Sequence, residues 1–168
     1  MAGFGISNAI IHIEFLLVGA GPDVYLVEFA LRGCGSKVVT HLLPAITGVD
    51  VVRAVVRQAL GLRTTLRAGR SWNGVLHFLM FAPGRITGMR GLDRARALPG
   101  VIDVTIERQI NDRIDEVRDG RSRPGHLLVC GPTAEEVQQT IREVHALVRL
   151  EYDNGVTSAP LVVEAATR

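Results

Sequence analysis

Lysine is almost absent from this chain: Lys37 stands alone among 19 basic residues, and arginine supplies the rest. Against 17 acidic residues this leaves a net charge of +2, with the two signs interspersed and no block of either. A nucleic-acid or anionic-membrane surface needs a continuous basic stripe, so neither partner is expected. The densest basic run, Arg118-Asp119-Gly120-Arg121-Ser122-Arg123, has no aromatic platform beside it in a chain that is only 5% aromatic, and it reads as a solvated loop. Cysteine is scarce too. Cys34 and Cys130 make neither a disulfide framework nor a metal knuckle, which points to a reducing, cytoplasmic setting. Long apolar runs are missing: residues 9–18 are too few to cross a bilayer, include His12 and Glu14, and follow no basic segment. Neither an anchor nor a signal peptide is expected.

What is present suffices for one ordinary core or two small lobes, with 168 residues of which 47% are hydrophobic. A mean hydropathy of +0.23 suggests some apolar surface kept for a partner. Two apolar runs flank Gly19-Ala20-Gly21-Pro22-Asp23, a pattern that predicts a β-hairpin. Centred on Gly21, the hairpin sets Glu14 opposite Glu28. The same register places Ile11 against Leu31, Ile13 against Phe29, Phe15 against Val27 and Leu17 against Tyr25 on the other, apolar face. Like charges facing each other at roughly 5 Å ask for a proton or a cation between them. Hard oxygen donors without a Cys or His cluster favour Mg²⁺ or Mn²⁺ over zinc, and Mg²⁺ is usually held by one or two carboxylates plus phosphates. Arg32, on the face of Glu28, and the turn Gly33-Cys34-Gly35-Ser36 add a grip for phosphate or carboxylate oxygens. A solvated polar face on an amphipathic hairpin is the alternative that spacing leaves open. None of the five histidines has ligand spacing; His12, opposite Ala30 and diagonal to Glu28 and Arg32, is a candidate to orient a ligand or a substrate carboxylate.

The blocks Gly5-Ile6-Ser7-Asn8-Ala9-Ile10-Ile11-His12-Ile13-Glu14-Phe15, Val24-Tyr25-Leu26-Val27-Glu28-Phe29-Ala30-Leu31-Arg32-Gly33-Cys34-Gly35, Thr47-Gly48-Val49-Asp50-Val51-Val52 and Ala59-Leu60-Gly61 resemble the carboxyl-terminal half of ATP-grasp enzymes, in the amino-acid ligase and carnosine-synthase-like branch. The resemblance implies that Glu14 and Glu28 hold Mg²⁺ (or Mn²⁺) bridging the phosphates of ATP. It implies that Arg32 steadies the transferred phosphoryl group and an acyl-phosphate, and that Gly33, Gly35 and Ser36 border the substrate carboxylate. Ala30 stands where the commonest family pattern has Asn, which leaves one metal or two open. In that family the adenine-binding segment and phosphate-contacting lysines lie upstream of the first block. Residues 1–168 are therefore expected to be inactive alone and to need that N-terminal lobe, or a second copy, as partner. The implied function is the metal- and substrate-binding half of an ATP-dependent carboxylate-amine ligase of amino acid or dipeptide type. A non-catalytic remnant or regulatory module that keeps the fold is the alternative.

The expected class is α+β: a C-terminal ATP-grasp subdomain with the antiparallel hairpin site over residues 1–61, a connection over 62–74, a smaller α+β sandwich lobe over 75–152 and a tail over 153–168. Thr47 caps an expected helix over 49–60, stopped by Gly61. In the second lobe, strands are expected at 75–81, 85–89, 101–108, 126–130 and 148–152, with a short helix at 92–98. A capping box, Thr133-Ala134-Glu135-Glu136, opens a helix reaching about Leu147. Helices are expected to cover one face of an antiparallel sheet.

Overall fold

The computed structural model describes residues 5–6, 9–19 and 23–161. The two apolar runs pair antiparallel as β1 (His12–Leu17) and β2 (Val24–Ala30); residues 20–22 of the expected turn, with Ser7 and Asn8, lie outside the described residues. Glu14 faces Glu28, Ile13 faces Phe29 and His12 faces Ala30. Beyond Glu14 the register shifts by one, so Phe15 faces Leu26 and Leu17 faces Val24 instead of Val27 and Tyr25. Val27 is the extra residue of a bulge, which bends a strand and moves every later side chain to a new partner.

After Ser36 the chain enters a π-helical turn, Val38–Leu42, that runs straight into α1 (Leu43–Thr47), neither of them foreseen from the sequence. Pro44 lies in the first turn of α1, where its fixed φ suits the helical backbone. Thr47 is not the cap of the next helix. Its hydroxyl donates to the Leu43 carbonyl at 2.6 Å and accepts the Val49 N–H at 3.1 Å, closing α1, while Gly48 at φ 74° redirects the chain. Asp50 caps α2 (Val51–Ala59) instead, accepting the Arg53 N–H at 2.8 Å. Residues 60–72 contain no helix or strand and are tied to α1 by the Trp72 N–H on the Ile46 carbonyl, 3.0 Å.

The second lobe runs β3 (Asn73–Leu79), β4 (Gly84–Arg90), α3 (Leu92–Arg96), β5 (Val101–Ile106), β6 (Arg113–Ile114), β7 (Gly125–Gly131), α4 (Ala134–Leu147), β8 (Arg149–Tyr152) and β9 (Thr157–Ser158). Its strands form two antiparallel sheets, β3-β7-β5 and β6-β4-β8-β9, where one was expected. Thr133 caps α4, its hydroxyl accepting the Glu136 N–H at 3.2 Å. Val137, Ile141 and Val144 of α4 join Leu79, Leu127 and Val129 of the first sheet and Ile86, Leu150 and Tyr152 of the second in one buried cluster. The opposite face of the first sheet is covered by the α1 segment. A Cβ on Gly74 of β3 would come within 2.6 Å of Ile46 and 2.9 Å of Leu42, so only glycine lets the two lobes approach this closely. Among the described residues no single helix is long and apolar enough to cross a membrane.

Candidate functional site

The hairpin presents His12 and Glu14 of β1 beside Glu28 and Ala30 of β2, because alternate residues of paired strands share a face. Glu14 and Glu28 are both exposed, and His12 Nε2 lies 4.0 Å from Glu14 Oε1. The other ring nitrogen of His12, Nδ1, is buried without a hydrogen-bond partner. Among the described residues no three His, Cys, Asp or Glu side chains converge as a ready-made metal cage. Two facing carboxylates on an open face still fit Mg²⁺ or Mn²⁺, since such ions take hard oxygen donors and complete their shell with water or phosphate.

Arg32 does not continue the strand. β2 ends at Ala30, whose carbonyl accepts the Arg32 N–H at 2.9 Å, and the guanidinium Nη1 donates to the Gly33 carbonyl at 3.0 Å while remaining exposed. It therefore stands at the hairpin's base, at the entry to residues 33–36. Gly33 is fitted by necessity, because a Cβ there would lie 2.7 Å from Val39 Cγ2. Gly35 faces open space, and its carbonyl accepts the Val38 N–H at 3.1 Å. Ser36 and Lys37 follow at φ 51° and 61°, two consecutive non-glycine residues in the left-handed region.

A second group of side chains, passed over in the sequence, adjoins this turn. Lys37 Nζ meets Asp103 Oδ2 at 2.7 Å; the same oxygen lies 2.9 Å from His126 Nε2, and His126 Nδ1 lies 3.1 Å from Glu107 Oε1. Thr105 also donates to Asp103, at 3.3 Å. Burial pushes the Asp103 carboxyl up, but the Lys37 ammonium and His126 outweigh it and hold the group below the usual carboxylate range. A sequence signal existed. Asp103, Thr105 and Glu107 alternate along β5 and its end, which puts three polar groups on one face, and His126 of β7 pairs with Thr105 between them. A further pair, His77 of β3 and His145 of α4, brings its Nε2 atoms to 2.8 Å of each other away from the hairpin.

The comparisons with known proteins agree in placing this architecture. Residues 77–153 match the family of L-amino acid ligase C-terminal domain 2. The chain superposes on phosphoribosylglycinamide synthetase from Anaerococcus prevotii with a TM-score of 0.76 at 13% identity, over 90% of this chain and 39% of that one. On the L-amino acid ligase from Bacillus licheniformis the TM-score is 0.66 at 21% identity, over 86% of this chain and 36% of that one. No curated protein matches by sequence. The chain thus spans well under half the length of the solved structures it resembles.

Proposed function

For a chain that carries a C-terminal ATP-grasp region and whose residues 77–153 match the C-terminal domain 2 of L-amino acid ligases, we propose that the hairpin and the turn after it are the metal- and substrate-binding part of an ATP-dependent carboxylate-amine ligase. The observation that carries this reading is the Glu14–Glu28 pair, held face to face by the strand register at the base of which Arg32 stands. Glu14 and Glu28 would hold Mg²⁺ or Mn²⁺, which when bound supplies neutralising charge for phosphate oxygens. Arg32 presents a planar fork that can bridge two oxygens of a transferred phosphoryl group or an acyl-phosphate, which an ammonium cannot do. Residues 33–36 offer backbone N–H groups at a glycine-rich turn, a setting suited to a substrate carboxylate. His12, one residue pair along the same face, is placed to orient that carboxylate.

The chemistry this supports is mainly electrostatic: donors arranged before reaction, aimed at charge that grows on phosphoryl oxygens. Turnover also needs surfaces that clasp the nucleotide. The hairpin tip offers a place for such a lobe to pack, because Phe15, Leu17, Val24, Tyr25 and Val27 are all more than half exposed.

Titration with Mn²⁺ tests the metal assignment. Paramagnetic broadening is expected to be strongest at residues 12–16 and 26–32 and to vanish in the Glu14→Gln, Glu28→Gln double variant. Broadening spread elsewhere, or unchanged in that variant, would remove the pair from the site.

A further inference from the structure

Lys37 is the chain's single lysine, and it sits where backbone strain, a charge contact and a lobe boundary coincide. Ser36 and Lys37 are successive non-glycine residues at positive φ, a conformation that persists only where surrounding contacts over-determine it. The π-helical turn begins at the next residue, and such turns recur at functional positions. One contact that holds this step in place comes from the other lobe. The Lys37 ammonium reaches Asp103 of β5, which is itself braced by Thr105 and by the buried ring of His126. His126 is braced in turn by Glu107, whose Oε1 lies 3.1 Å from the other ring nitrogen, Nδ1. The chain of contacts thus runs from the core sheet of the second lobe to Lys37, the residue next after the turn that follows Arg32.

We infer that Lys37 is a positioning residue: through Asp103 and His126 it fixes the left-handed Ser36–Lys37 step and so sets the shape of residues 33–36 from the second lobe. As a statement about the substrate end of the site it rests on the ligase reading above. As a statement about the turn it does not. The second lobe then has a part in the site that its distance along the chain conceals, and loosening the Lys37–Asp103 contact loosens the turn without unfolding either lobe.

The turn contains its own reporter. Cys34 lies within it, partly exposed, and the other cysteine, Cys130, is buried. Alkylation of Cys34 by iodoacetamide in the intact chain, followed by peptide mass mapping, reads how often the turn opens. Lys37→Met and Asp103→Asn are each expected to raise the Cys34 rate about tenfold, and the double variant to go no further, because both remove the same contact. Lys37→Arg keeps the charge and is expected to stay within about twofold of the parent. Thr133→Ala serves as the control: it weakens α4 remotely and should leave Cys34 unchanged. A Cys34 rate equal in all variants overturns the inference, as does a rise in Thr133→Ala matching that in Lys37→Met, which would mean global loosening. The Mn²⁺ experiment reads a different pair of residues, so the ligase reading can fail while this contact stands, and the reverse.

Discussion

At the scale of residues, two histidines from different elements meet away from the hairpin, His77 of β3 and His145 of α4. Burial, with the charge of His145 second, lowers the pKa of His77; burial lowers that of His145, and a hydrogen bond to the Pro160 backbone only partly opposes it. The two Nε2 atoms lie 2.8 Å apart, a distance at which a hydrogen bond needs one of the two nitrogens to be free of a proton. Among the described residues, Arg149 approaches this pair and donates to the His145 backbone carbonyl at 2.8 Å. A histidine whose folded value lies below its unfolded one binds fewer protons when folded, so stability is complete above the ordinary value near 6.5 and is lost as pH falls through it toward the lowered value. Thermal melting between about pH 7 and about pH 5 is therefore expected to fall more steeply in the parent chain than in the His77→Gln, His145→Gln double variant. Parallel slopes would show that the rings titrate as they do in the unfolded chain. This pair was not legible in the sequence, since its members are 68 residues apart and no spacing rule joins a strand residue to a helix residue at that distance.

At the scale of elements, α4 was legible almost to the residue. Thr133 and Glu136 form the start signal, apolar residues recur at helical spacing, and the observed helix spans Ala134–Leu147. Removing the cap by Thr133→Ala is expected to destabilise the chain by about 1 kcal/mol, read as a lower denaturant midpoint at an unchanged slope. No change would mean that packing of Val137, Ile141 and Val144 alone holds the first turn. The start of α2 was misread for a physical reason. Thr47 and Asp50 are both good caps, and what separates them is that the Thr47 hydroxyl is already engaged with Leu43 of α1, a helix that Pro44 hides from a periodicity reading. The hairpin bulge was equally hidden, because an extra residue at Val27 keeps the apolar run unbroken while changing every pairing beyond it.

At the scale of the whole molecule, the second lobe buries its core around α4 while the hairpin leaves apolar side chains on both faces of its tip, with Leu17 72% exposed and Val27 61%. Surface of this kind is rarely left bare in a monomer. The isolated chain is therefore expected to associate as concentration rises, measured by sedimentation or light scattering, and Leu17→Glu with Tyr25→Glu is expected to return it to a monomer. A monomeric parent at high concentration would show that two such strands can stand in water without a partner.

Local chemistry alone settled a good part of this protein. The alternation around the glycine-rich turn paired Glu14 with Glu28, the capping box opened α4, and the strands near residues 75, 101 and 126 were marked by apolar runs between Gly and Pro. These features depend on residues within a few positions of each other, where propensity, capping and side-chain period act directly. Only the tertiary structure decided that the strands divide into two sheets and that Arg32 leaves the strand. It alone also decided that Lys37 reaches across 66 residues to Asp103 beside a buried His126. Which strand lies beside which is chosen by how apolar faces close over a shared core, and a one-dimensional pattern records the faces but not their neighbours.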